Sequence, residues 1–166
     1  VFSDSKLRNI IRSEEGRFWK FITSNKYLDE LKIKQDEQRL RKYYQKKGYY
    51  NVNIKSSYAK NINNEFFELN FNIDSGNKFF FNDISIEISD SFNKENFLEI
   101  NKDIKKLKGK KYSSKVVNKI TEEIDQILLS REFLFLNTKY DLSVVEKNKI
   151  NLKFQFEDLE KFYIEQ

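Results

Sequence analysis

The sequence predicts an α+β protein that contains two copies of one unit, each ordered strand–helix–helix–strand–strand, with a three-stranded mixed sheet packed on two helices. Segments with apolar residues at helical spacing alternate with segments in which every second residue is apolar. The stretches DEQRLRKYYQKKGYYNVNI from Asp36 and ITEEIDQILLSREFLFLNT from Ile120 each join a helical pattern directly to a strand pattern. FNIDSGNKFFF from Phe71 and FQFEDLEKFYI from Phe154 repeat at nearly the same spacing, which indicates a tandem repeat.

Composition excludes several kinds of site. The 166 residues include no cysteine and no histidine, so zinc fingers, thiol chemistry and histidine-based triads are excluded. No apolar stretch reaches the ~18 residues that a membrane helix needs. The net charge is +5 with both signs interspersed, which is typical of a solvated surface. Because the chain starts at Val1 and has no methionine, we expect it to be a piece of a longer protein.

The first unit is predicted over residues 1–76. Ser3 or Asp4 can cap a short helix that carries Leu7, Ile10 and Ile11 on one face. A second helix is predicted from about residue 29 to 47. It should stop at Gly48, because glycine suits the position just past a helix end. A strand follows over residues 50–58, and a second strand places Phe67, Leu69, Phe71 and Ile73 on one face.

The second unit is predicted over residues 77–160. It starts with the strand KFFFNDISIEI, in which Phe80 and Ile84 face inward while Phe79 and Phe81 face outward. Asn93 can cap the next helix. A longer helix should carry Val116, Val117, Ile120, Ile124, Ile127 and Leu128. Two strands near residues 135–144 and 149–156 complete the unit, and residues 161–166 are predicted to begin a third copy.

This repeated unit resembles the POTRA domain. The first unit is most similar to the third POTRA repeat, and the second unit to the fourth, of the BamA family of outer-membrane assembly factors. The resemblance covers essentially the whole chain. It is carried by FSDSKLRNII, GRFWKF, DEQRLRKYYQKKGYYNVNI, FNIDSGNKFFFNDISIEI, KGKKYSSKVVNKI and LKFQFEDLEKFYI. In the second unit, Glu132 stands where Gly48 stands in the first. By this resemblance, the first unit should lack its opening strand.

The resemblance implies a periplasmic segment that precedes a membrane-embedded C-terminal β-barrel absent from this chain. It implies binding to unfolded outer-membrane β-barrel proteins and to accessory lipoproteins, with no cofactor and no enzymatic activity. The expected mechanism is β-augmentation, in which an extended segment of a client adds to an exposed sheet edge. We expect the partner-binding edge strand to be Tyr50, Asn51, Val52, Asn53, Ile54, Lys55, Ser56, Ser57 and Tyr58.

Three further expectations concern partners. Phe18, Trp19 and Phe21 could form a docking surface, or could complete the core. The strand around residues 134–142 should be a poorer edge, because Lys139 and Asp141 would protect it. Residues 161–166 of one molecule could fill the missing strand of another and give a strand-exchange oligomer.

Other functions are open to test. The same repeat serves other secretion and translocation pores of the superfamily. A nucleic-acid-binding role is suggested by the basic charge and the many aromatics, but KFFFNDISI lacks the glycines of the RNA-recognition signature, so no nucleic acid is expected. Catalysis is not expected, because neighbouring carboxylates such as Glu14 and Glu15 point in different directions on a helix.

Overall fold

The computed structural model describes residues 1–11, 30–60, 67–88 and 92–158. The chain divides into two compact units, Val1–Asn77 and Lys78–Gln166. We refer to these as the first unit and the second unit. Each is described by itself below.

The first unit contains two helices followed by two strands. They are α1 (Asp4–Arg8), α2 (Glu30–Lys46), β1 (Asn53–Lys60) and β2 (Phe67–Asp74). The strands pair antiparallel from Asn53 opposite Asp74 to Lys60 opposite Phe67. Helix α1 ends three residues before Ile11, so it is shorter than the predicted apolar stripe, although Ile10 and Ile11 still pack on the core.

The core of the first unit joins α2 to β1. Its buried members are Leu40, Tyr44, Tyr49, Val52 and Ile54. The Phe2 ring meets the rings of Tyr43 and Tyr44 edge-on, with 5.0 Å between centroids in each pair. Burial raises the pKa of Tyr44 above its ordinary value, and the neighbouring Tyr49 and Tyr43 add to the shift. Burial of Tyr44 therefore favours its neutral phenol. Aromatic and aliphatic contacts of this core hold α2 against β1.

The second unit has the predicted strand–helix–helix–strand–strand order. It contains β3 (Phe80–Ile86), a short 3₁₀ turn (Lys94–Phe97), α3 (Leu98–Lys105), α4 (Ser114–Ser130), β4 (Leu136–Glu146) and β5 (Lys149–Asp158). The Asn93 side chain accepts a hydrogen bond from the Glu95 amide, as its predicted capping role requires. Strand β5 lies in the centre of the sheet, parallel to β3 and antiparallel to β4. The predicted α+β fold with a three-stranded mixed sheet is thus confirmed.

The inward and outward faces of β3 are the reverse of the prediction at its start. Phe79 and Phe81 are buried, at 5% and 1% exposure, whereas Phe80 is 40% exposed. The cause is a β-bulge between Phe81 and Asp83, opposite Ile150 and Asn151 of β5. One extra residue shifts the alternation, so that Phe81 and Ile84 both face the core.

On the side of β3 away from β5, which we call its outer margin, the start of the strand is bonded to the segment that joins α3 to α4. The Phe81 amide donates to the Lys110 carbonyl at 2.9 Å, and the Gly109 amide donates back to the Phe81 carbonyl at 2.7 Å. The Tyr112 amide donates to the Phe79 carbonyl at 2.9 Å. These bonds occupy the backbone groups through which a sheet edge would accept another strand.

The second helix of each unit ends in the same capping motif. In the first unit the Tyr49 amide donates to the Tyr44 carbonyl and Gly48 has a φ of 100°. In the second unit the Phe133 amide donates to the Leu128 carbonyl, and Glu132 takes a φ of 64°. The motif requires a left-handed residue, so glycine is favoured at this position but is not essential.

We expect Gly48→Ala to destabilise the first unit by about 1–2 kcal/mol, since a Cβ is strained in the left-handed region. The reverse change, Glu132→Gly, should stabilise the second unit by about 0.5–1 kcal/mol, because relief of strain exceeds the entropy lost by glycine on folding. Urea denaturation followed by the amide signals of each unit measures both. A destabilising Glu132→Gly would contradict the assignment of strain.

Candidate strand-binding edge

Strand β1 lies at the edge of the sheet of the first unit. It pairs with β2 on one side, and no strand in the described parts of the chain pairs with its other side, which we call the outer margin. The strand starts at Asn53, so the predicted start at Tyr50 is wrong. Tyr50 and Asn51 form a turn, since the chain must leave the α2 cap before it can extend.

The side chains of β1 and the residue before it follow the predicted alternation. Val52 and Ile54 are each 3% exposed and face the helices. Asn53, Lys55 and Ser57 are exposed on the other face. The strand therefore offers a polar outer face, with its apolar residues already committed to the core.

The backbone groups that point to the outer margin can be identified from one hydrogen bond. The Ser56 amide donates to Glu37 Oε1 of α2 at 2.8 Å, so this amide points away from β2. In an antiparallel strand the N–H and C=O of a residue point to the same side, and successive residues alternate. Ile54 and Tyr58 therefore direct their backbone groups to the outer margin as well.

A second contact from α2 reaches the same margin. Arg41 Nη1 donates to the Val52 carbonyl at 3.3 Å. Glu37 is half-buried and Arg41 is exposed, one helical turn apart. They flank Leu40, whose burial at 1% exposure anchors this part of α2 on the sheet. Among the described residues no strand pairs with the outer margin, and α2 contacts it at two points.

The β4 edge of the second unit carries a related contact. The Thr138 amide donates to Asp125 Oδ1 of α4 at 2.9 Å. Tyr140 and Val144 lie further along β4 and are 38% and 50% exposed. Asp141 accepts a hydrogen bond from Gln155 of β5 at 3.2 Å. In both units, then, a carboxylate of the second helix accepts an amide of the neighbouring edge strand.

Sequence reasoning found the edge strand but missed Glu37 and Arg41. The signal available was their spacing, four residues apart on α2 on either side of the buried Leu40. The candidate docking residues Phe18, Trp19 and Phe21 lie outside the described residues. So do residues 161–166, which were predicted to begin a third copy and to exchange between molecules. Within the described residues, no helix has the length and apolar character of a membrane span.

Comparison with known proteins agrees with this architecture. Residues 1–76 match the POTRA family model, described as a surface antigen variable number repeat. The structure is similar to Haemophilus influenzae BamA POTRA3–5, with a TM-score of 0.68 at 14% sequence identity. The match covers 94% of this chain and 61% of that one. For Haemophilus ducreyi BamA lacking POTRA domains 1–3, the TM-score is 0.58 at 13% sequence identity. That match covers 80% of this chain and 24% of the other.

A cyanobacterial structure is also similar. POTRA1–2 of the periplasmic domain of Omp85 from Anabaena gives a TM-score of 0.51 at 13% identity, with 94% of this chain and 86% of that one covered. The comparison with curated proteins finds no match. Residues 1–76 thus match the POTRA family model, and the chain as a whole has the POTRA fold. In fold, the two units are similar to the POTRA domains of BamA and Omp85.

Proposed function

We propose that this chain is the periplasmic POTRA segment of an outer-membrane assembly protein. It binds unfolded β-barrel precursors and accessory lipoproteins by adding their extended segments to its sheet edge. The full protein would carry the membrane-embedded barrel. Binding needs neither a cofactor nor covalent chemistry, because backbone hydrogen bonds supply the recognition.

The outer margin of β1 is the observation that carries this proposal. Ile54, Ser56 and Tyr58 direct amides and carbonyls to it, and the described part of the chain supplies no pairing strand there. Backbone pairing does not depend on the identity of the client side chains. One such edge could therefore accept many different barrel strands, as an assembly factor must.

The outer margin of β1 in the first unit is a better client site than the outer margin of β3 in the second unit. At its start, that margin of β3 is already bonded through Phe79 and Phe81 to residues 109–112 of its own chain. The β4 edge is longer and has exposed apolar side chains, and it serves as an alternative client site. The two edges can be separated because their residues give distinct amide signals.

Titration with an extended peptide from an outer-membrane β-barrel strand tests the proposal. We expect the largest amide shifts at Ile54, Ser56 and Tyr58, since these groups would pair with the guest. Contacts between guest and β1 backbone protons should appear at the same residues. Two-dimensional NMR of the isotope-labelled chain measures both.

The control peptide has the same sequence but carries N-methyl groups on alternate amides, which removes the donors on its pairing side. It should bind at least about tenfold more weakly, because each lost bond also leaves a partner unsatisfied. Shifts concentrated on β4 would assign binding to the second unit. Shifts spread over the outer faces of α2 and α4 would contradict strand addition.

A further inference from the structure

We propose that Glu37 and Arg41 form a removable clasp on the outer margin of β1, which an incoming strand displaces. This inference rests on the function proposed above. It adds that the site is closed at two points in the free chain, and that binding exchanges contacts within the chain for contacts with the guest.

The clasp and the guest compete for the same atoms. A guest paired along the margin needs the Ser56 amide, which donates to Glu37 Oε1 at 2.8 Å. A guest that extends to the start of the strand also needs the Val52 carbonyl, which accepts from Arg41 Nη1 at 3.3 Å. An N–H group cannot donate well to the carboxylate and to a strand carbonyl together. At the Ser56 amide, the closed and guest-bound arrangements are therefore mutually exclusive.

The two side chains have an alternative partner once they are displaced. Glu37 and Arg41 are four residues apart on α2, with the acidic residue nearer the N-terminus. This spacing and order favour an ion pair across one helical turn. When a guest displaces Glu37 and Arg41 from the margin, the two side chains can pair with each other. Neither charge is then left without a partner.

The second unit provides an independent parallel. Asp125 of α4 accepts the Thr138 amide of β4 at 2.9 Å, although its residue type and its position on the helix differ from those of Glu37. Exposed strand edges promote unwanted pairing between molecules, and blocking groups suppress it. A helix carboxylate on the edge amide would therefore exclude weak or short segments, while a longer strand could displace it.

The first test compares Glu37→Ala with Glu122→Ala, an exposed carboxylate of α4 that gives the same charge change. In the free chain, hydrogen exchange of the Ser56 amide should be faster in Glu37→Ala and unchanged in Glu122→Ala. Affinity for the barrel-strand peptide should rise about two- to tenfold in Glu37→Ala, the equivalent of one net hydrogen bond. Far-UV circular dichroism confirms that both variants are folded.

The outcomes separate the two proposals. If the wild type binds the peptide at β1 and Glu37→Ala binds equally or more weakly, the clasp is wrong while strand addition stands. If neither chain binds the peptide, the proposed function fails, and the competition with a guest fails with it. Faster Ser56 exchange together with tighter binding supports the clasp. Arg41→Ala provides a second variant, with a smaller expected gain because its bond is longer.

Discussion

Phe81→Ala is expected to destabilise the second unit by about 3–5 kcal/mol, the usual range for loss of a buried phenylalanine. Phe80→Ala, one residue earlier, should cost only about 1 kcal/mol, because its side chain is partly exposed and loses less burial. A single unit has a total stability of roughly 5–15 kcal/mol, so the first change removes a large part of it.

The contrast between these neighbours depends on the bulge in β3. Phe81 is 1% exposed and its ring lies 5.7 Å from that of Tyr112, edge-on. Phe80 is 40% exposed on the opposite side of the strand. Deletion of the Phe81 ring leaves a cavity between β3 and the segment that covers its margin. Deletion of the Phe80 ring mainly returns surface to water.

Urea denaturation followed by amide signals of β5 measures the two variants under the same conditions. The central strand reports on the sheet as a whole, because it pairs with both β3 and β4. A larger loss of stability in Phe80→Ala than in Phe81→Ala would contradict the bulge, because it would mean that the strand alternates regularly through Asn82. The sequence-based assignment of faces would then be restored.

This case marks a limit of prediction from the sequence. Alternation of period two identifies a strand and its two faces only while the strand is regular. A bulge is set by pairing with a partner distant in the chain, here Ile150 and Asn151, and KFFFNDISIEI contains no local signal for it. By contrast, β5 is regular. The same alternation predicts that Ile150, Leu152, Phe154 and Phe156 face inward, and the first three are buried while Phe156 is half-buried.

The candidate site shows the same division between local and long-range information. Gly48 indicates the end of α2, and the alternation after it indicates a strand. The strand β1 could therefore be predicted from residues that are adjacent in the sequence. The bonds from Glu37 to Ser56 and from Arg41 to Val52 span 19 and 11 residues. They depend on how α2 packs over β1, which is fixed by the buried core rather than by the residues that make the bonds.

Ser56→Pro is expected to weaken binding of a barrel-strand peptide at least about tenfold. Proline has no amide hydrogen, and its ring would occupy the outer margin where the guest must lie. The β1–β2 ladder should persist, because the Ser56 amide points to Glu37 rather than to β2. The first unit should therefore lose only about 1 kcal/mol of stability, the worth of one hydrogen bond.

Ser56→Ala is the matched control, since it removes the hydroxyl and keeps the amide. It should bind the peptide as the wild type does, with affinities measured by fluorescence anisotropy of the labelled peptide. Glu37→Ala and Ser56→Pro abolish the same hydrogen bond within the chain, yet they should move the affinity in opposite directions. Only the proline removes the donor that the guest requires. Wild-type affinity in Ser56→Pro would mean that guests pair elsewhere, with the other side of β2 and the β4 edge the next to test.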